Sequence, residues 1–140
     1  VSFSFWQDWR VSVALAVVFW GLWGLFSKIA VTRLGWPTSL VLGWLAGVAA
    51  VAPFVVGDFR WQAFNVSWPA FAYGACGAAG ALFLLKALEQ GPATVVLPVS
   101  EGWLVVAVLL SVAFLGESLN PRRLAGLALV LAGAALLAKE

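Results

Sequence analysis

The sequence contains no histidine and no methionine, one cysteine (Cys76) and one tyrosine (Tyr73). Without histidine, the commonest transition-metal ligand and the usual near-neutral proton carrier are missing. A single cysteine excludes an intrachain disulfide. Charge is equally scarce: 10% of the residues are Asp, Glu, Lys or Arg, against about 25% in a soluble globular domain. The formal net charge is +2, and the basic residues stand singly except for Arg122-Arg123. No basic patch forms, so nucleic acid is not an expected partner. No nucleophile–base pair, metal-ligand cluster or phosphate-binding glycine loop appears. The chain therefore reads as no enzyme, with no metal and no cofactor implied.

What is present is apolar. Hydrophobic residues make up 64% of the chain, against about 45–50% in a soluble domain, and mean hydropathy is +1.02. Too little polar side chain remains to cover a water-facing surface. The expectation is an all-α polytopic membrane protein with the lipid bilayer as its first partner. Apolar runs of about 20 residues, the length a bilayer core requires, occur at 11–31, 37–56, 69–88, 92–115 and 121–138. The stretch before residue 11 is polar and aromatic and the first run is long enough to span, so that run reads as a span and not as a cleaved leader. Five transmembrane helices in a single domain over 1–140 are expected. The breaks TRLGW, GDFRWQAFNVSW, EQG and GESLN are short, which makes consecutive helices antiparallel neighbours.

Proline placement supports these boundaries. Pro37, Pro69, Pro92 and Pro121 are each expected to open a helix, where the missing N–H costs nothing. Asn120 is a candidate N-cap. Pro53 and Pro98 fall inside spans. Trp6, Trp9, Trp36, Trp61 and Trp68 sit at span ends and fit interfacial belts, whereas Trp20, Trp23, Trp44 and Trp103 lie deeper. Glycine and alanine crowd the third and fifth runs, and Gly43-x-x-x-Gly47 marks the second, a signature of close helix packing in lipid.

Five spans place the termini on opposite sides. Arg10, Arg60, Arg122 and Arg123 then fall on one side, and Lys28, Arg33, Lys86 and Lys139 on the other, so the positive-inside rule selects no orientation. An even division is what a chain inserting both ways and pairing antiparallel would show, and also what a short chain shows by chance.

The candidate chemistry centres on Glu101, the one charge between Ala93 and Leu115. On a straight helix Thr94, Pro98, Glu101, Val105 and Val108 share one face. Pro98 cannot donate to the carbonyl of Thr94, and Gly102 loosens the next turn, so an irregular backbone is expected beside the acid. One reading makes Glu101 a proton- or substrate-binding group; the other pairs it with Lys86 as a structural ion pair. In the first span Trp20, Trp23, Gly24 and Ser27 share about a quarter of the circumference, as a pocket wall for an organic cation or ring, or as ordinary packing and lipid-facing residues. Lys28 either snorkels to the interface or meets an anionic substrate group. Tyr73 shares a face with Gly77 and Gly80 and offers one hydroxyl. The substrate- or proton-binding candidates are thus Glu101, Trp20, Trp23, Ser27, Tyr73 and Thr94, with Lys86, Pro98 and Gly102 in structural roles. Glu117 reads as a solvated turn carboxylate.

FWGLWGLFSKIA, KALEQGPATVVLPVS and LLSVAFLGESLNPRRLAGLALVLAGAALL, in that order over nearly the whole chain, resemble the EamA domain of the drug/metabolite transporter superfamily. Most members look like two such five-helix repeats fused in inverted orientation; this chain resembles one repeat. The resemblance implies a secondary transporter, an exporter of a small organic metabolite or drug-like compound, in some members driven by proton exchange. It also implies a homodimer, in antiparallel arrangement, in a bacterial or archaeal inner membrane. Family members usually carry a small or hydroxylated residue where Glu101 stands and a proline near Leu104, so the resemblance assigns Glu101 no role. Two alternatives stand beside it: a non-transporting membrane subunit that stabilises or regulates a partner, and a component of a lipid-carrier flippase.

Overall fold

The computed structural model describes residues 9–60 and 62–138. Trp6, Trp61, Lys139 and the side chain of Trp9 lie outside the described residues. Within them every regular element is helical: α1 (Trp9–Val55), α2 (Phe64–Gln90), α3 (Ala93–Ser100), α4 (Trp103–Leu115) and α5 (Pro121–Leu137). Three stretches are long and apolar enough to cross a membrane: Arg10–Val55, Phe64–Gln90 and Ala93–Leu115. This is the make-up of a multi-pass membrane protein. The chain divides into two compact units, Val1–Glu89 and Gln90–Glu140.

In the first unit, α1 covers both runs expected as separate helices, which meet at a kink at Gly35. The break expected over TRLGW shrinks to Gly35, whose φ of 74° and ψ of 161° lie in a region essentially closed to residues with a Cβ. The helix before it runs through Thr32, whose hydroxyl donates back to the Lys28 carbonyl at 2.8 Å. Pro37 lies in the first turn of the restarted helix, where its missing N–H is harmless. The Ser39 hydroxyl donates to the Gly35 carbonyl at 2.7 Å and holds the turn from the other side.

Helix α2 begins at Phe64, so Pro69 does not open it as expected but sits one turn inside. The start is set by the Ala63 carbonyl, which accepts from the Val66 and Ser67 N–H groups and from the Ser67 hydroxyl. The Phe64 and Phe71 rings pack 5.8 Å apart over the same turns. Pro69 removes only the bond that would have gone to Asn65 near the helix end, a small loss beside a helix interior.

In the second unit the run 92–115 is one span in two pieces. Pro92 occupies the N-cap position of α3. At Glu101-Gly102 the bonding changes from i→i−4 to i→i−3: Glu101 N–H to Pro98, Gly102 to Val99, Leu104 to Glu101 and Val105 to Gly102, at 3.0–3.3 Å. Both residues keep right-handed angles, so this is a 3₁₀ turn inside the span and not a reversal. Gly116 ends α4 at φ 67°. Helix α5 starts as its sequence dictates, with Pro121 at its first position and the Asn120 side chain accepting from the Arg123 N–H at 2.8 Å. Helix α5 packs against α3.

Among the described residues only Val31, Leu85 and Leu88 are buried hydrophobic side chains, while Phe54 and Phe114 are each 81% exposed. An apolar surface of that extent is unsustainable in water and ordinary in lipid, where apolar contact outside the chain carries no penalty.

Gly35→Ala is expected to destabilise the fold by about 1–3 kcal/mol, because a Cβ at this φ is strained and would lie 3.4 Å from Glu89 Oε1. Reversible denaturation in mixed micelles, compared with Gly43→Ala, where a Cβ meets nothing within 4 Å, measures it.

Candidate functional site

The polar residues of the first unit converge where the end of α2 meets the bend of α1. Breaking α1 at Gly35 frees the N–H of Trp36, and this group donates to Glu89 Oε1 at 3.2 Å, across 53 positions of sequence. Ending α2 frees its last carbonyls, and Lys28 Nζ donates to the backbone oxygen of Leu88. The carboxylate, carried in the last turn of α2, meets the N-terminus of the helix that restarts after Gly35, and the ammonium meets the C-terminus of α2. Ser27, Val31 and Ser39 of α1 and Leu85 and Leu88 of α2 are the residues buried here. The Ser27 hydroxyl donates to the Gly24 carbonyl of its own helix at 2.8 Å.

This arrangement gives the candidates of the first span different roles. Ser27 is buried and bonded locally, whereas Trp20 and Trp23 are 65% and 45% exposed. Both indoles are therefore on the surface of α1. Tyr73 is 79% exposed on α2. Lys86 is exposed as well, and the lysine engaged at the end of α2 is Lys28. Glu89 and Gly35 were not singled out by sequence reasoning. Glu89 lies in the break EQG, and no local pattern ties it to a glycine so far away in the chain.

The second unit carries the broken span. Pro98 is in the last turn of α3, and the Ser100 hydroxyl donates to the Leu97 carbonyl at 2.7 Å. Glu101 follows as the C-cap of α3 and Gly102 as the N-cap of α4. A Cβ on Gly102 would stand 3.3 Å from the Val99 carbonyl oxygen, so the turn has little room for a larger residue. Thr94 and Glu101 are exposed. The face expected to run straight from Thr94 to Val108 is rotated after the break, because a 3₁₀ residue advances about 20° further than an α-helical one. The irregular backbone expected from Pro98 and Gly102 is there, confined to the turn that holds the acid.

A groove of ≈ 470 Å³ lies between α4 and α5. Leu104, Val108, Val112, Leu127 and Val130 line its length, and Glu117, Ser118 and Arg123 stand at the end formed by the α4–α5 turn. Among the described residues no cluster of three or more His, Cys, Asp or Glu side chains is placed to hold a metal ion.

The EamA-like transporter family matches residues 9–139. The chain is also 28% identical over 137 residues, 94% of this chain and 97% of the other, to a Sinorhizobium protein described as an uncharacterized transporter in the cobO 3′ region. No solved structure matches.

Lys28→Met is expected to lower stability by about 1–3 kcal/mol, because it leaves the carbonyl of the fully buried Leu88 without this donor. Lys86→Met, on an exposed part of α2, is expected to stay within about 0.5 kcal/mol. Paired denaturation curves in the same micelle decide between the two lysines.

Proposed function

The chain belongs to the EamA-like transporter family, and from that premise we propose that it exports a small organic metabolite or drug-like compound in exchange for protons. The membrane is a bacterial inner membrane, the span count is five, and the working unit is an antiparallel homodimer. Glu101 is the group that takes the proton or a cationic part of the substrate. The observation that carries this reading is a carboxylate on a 3₁₀ turn in the middle of the span Ala93–Leu115, which holds no other charge. An ionisable residue at membrane depth is expensive and marks a transport pathway far more often than a surface. Irregular backbone at that depth is tolerated where it lines a cavity. Thr94 on α3 supplies a hydroxyl one helical stretch away. In the other unit, Trp20 and Trp23 supply aromatic faces suited to an organic cation or ring, and Tyr73 supplies a second hydroxyl.

In liposomes with an imposed pH gradient, the purified chain is expected to move cationic or zwitterionic amphiphiles at a rate that follows the gradient. Glu101→Gln is expected to reduce that rate at least about tenfold and to remove its pH dependence, while Glu101→Asp keeps the dependence. Transport by Glu101→Gln with an unaltered pH profile would remove the acid from the mechanism.

Dual insertion has its own measurement. In a Cys76→Ser background, a cysteine placed beside Asp58 is expected to react with impermeant reagent from both faces of the membrane. Reaction from one face alone rules out the antiparallel pair and leaves the assignment of Glu101 standing.

A further inference from the structure

The groove between α4 and α5 is zoned along its length. Val108 and Val112 on α4 and Leu127 and Val130 on α5 form apolar walls, with Gly126 between them. From Arg123 to Val130 this spans about 10 Å of helix. The charged groups are confined to one end, at the turn that follows the span Ala93–Leu115. A span of that length covers about 35 Å, slightly more than the ≈ 30 Å hydrocarbon core, which sets the turn at the headgroup level of the bilayer. The apolar walls then run inward along the acyl chains.

We propose that this groove binds one phospholipid whose headgroup carries a phosphate and a primary ammonium, as in a phosphatidylethanolamine. Arg123 Nη1 donates to the Ser118 carbonyl at 3.0 Å, which fixes the guanidinium at the mouth. A guanidinium has five N–H donors in a planar fork, so others remain for a phosphate. Glu117 lines the same mouth and would repel a purely anionic headgroup. A primary ammonium turns that repulsion into an ion pair with hydrogen bonds, which a quaternary ammonium cannot donate. One acyl chain lies over Val108, Val112 and Leu127, in contact with the bare face of Gly126. A helix from a second copy would fill the apolar length but would leave the Arg123–Glu117 pair without a complementary group. The site is independent of Glu101 and of the transport reading.

Native mass spectrometry of the full chain, released from micelles doped with equal amounts of ethanolamine, choline and glycerol phospholipids of one acyl composition, tests it. The expected result is one lipid per chain, with the ethanolamine lipid retained above the other two. Arg123→Gln is expected to lower retention of all three about tenfold. Glu117→Gln is expected to bring the ethanolamine lipid down to the choline lipid. A Cβ added at Gly126 meets nothing within 4 Å, and Gly126→Leu, which adds bulk to the groove lining, is expected to displace the lipid. Helicity by circular dichroism verifies that each variant is folded. No retained phospholipid, or retention unaltered by both Arg123→Gln and Gly126→Leu, overturns the proposal. So does a Gly126→Leu variant that loses dimers while keeping its lipid, which would make a second copy the occupant.

Discussion

In hydrocarbon every backbone N–H and C=O needs a partner within the protein, and this requirement shapes each departure from continuous helix. A helix satisfies its own interior; its ends and breaks do not. The described chain interrupts its membrane segments at two places, Gly35 and Glu101-Gly102, and closes them by different means. At Gly35 the helix direction changes, and the freed Trp36 N–H takes a carboxylate from α2. At Glu101 the helix tightens into four i→i−3 bonds, and the Ser100 hydroxyl donates to the Leu97 carbonyl, so no charged side chain is used.

That difference separates structural charge from charge that needs another explanation. Lys28 and Glu89 each meet an orphan backbone group at a helix end. Removing either leaves an unmet group, so their presence needs no ligand. The turn at Glu101 asks nothing of its own side chain. A carboxylate that contributes nothing to closing the backbone, in a span otherwise free of charge, is costly unless it serves something outside that span. Glu101 is a transport candidate because of this asymmetry, and not because of the family, whose usual pattern has a small or hydroxylated residue at that position.

Much of the fold was legible because its signals are local. The Asn120-Pro121 start of α5, the Pro92 entry to α3 and the irregular turn after Pro98 all follow from rules acting within four residues. Composition alone placed the chain in a membrane. Other features resisted for an equally physical reason. Pro69 read as a helix start because proline favours first turns, yet the Ala63 carbonyl and the Phe64–Phe71 pair start α2 earlier. The break between the two apolar runs of α1 is a single glycine at positive φ, where a longer loop was expected. The partnership of Lys28 with Leu88 crosses 60 positions, and its acceptor is a backbone oxygen, which no side-chain pattern encodes. The neighbours of the candidate residues were not legible, since which faces meet is decided by packing between helices.

The turn at Glu101-Gly102 also lies between two helices that α5 meets differently. Helix α5 returns after a short loop, packs against α3 and leaves a groove beside α4. Leu104, at the inner end of that groove, donates its backbone N–H to the carbonyl of Glu101 itself at 3.0 Å. The turn that holds the acid and one end of the gap beside α4 are therefore joined by a single backbone hydrogen bond.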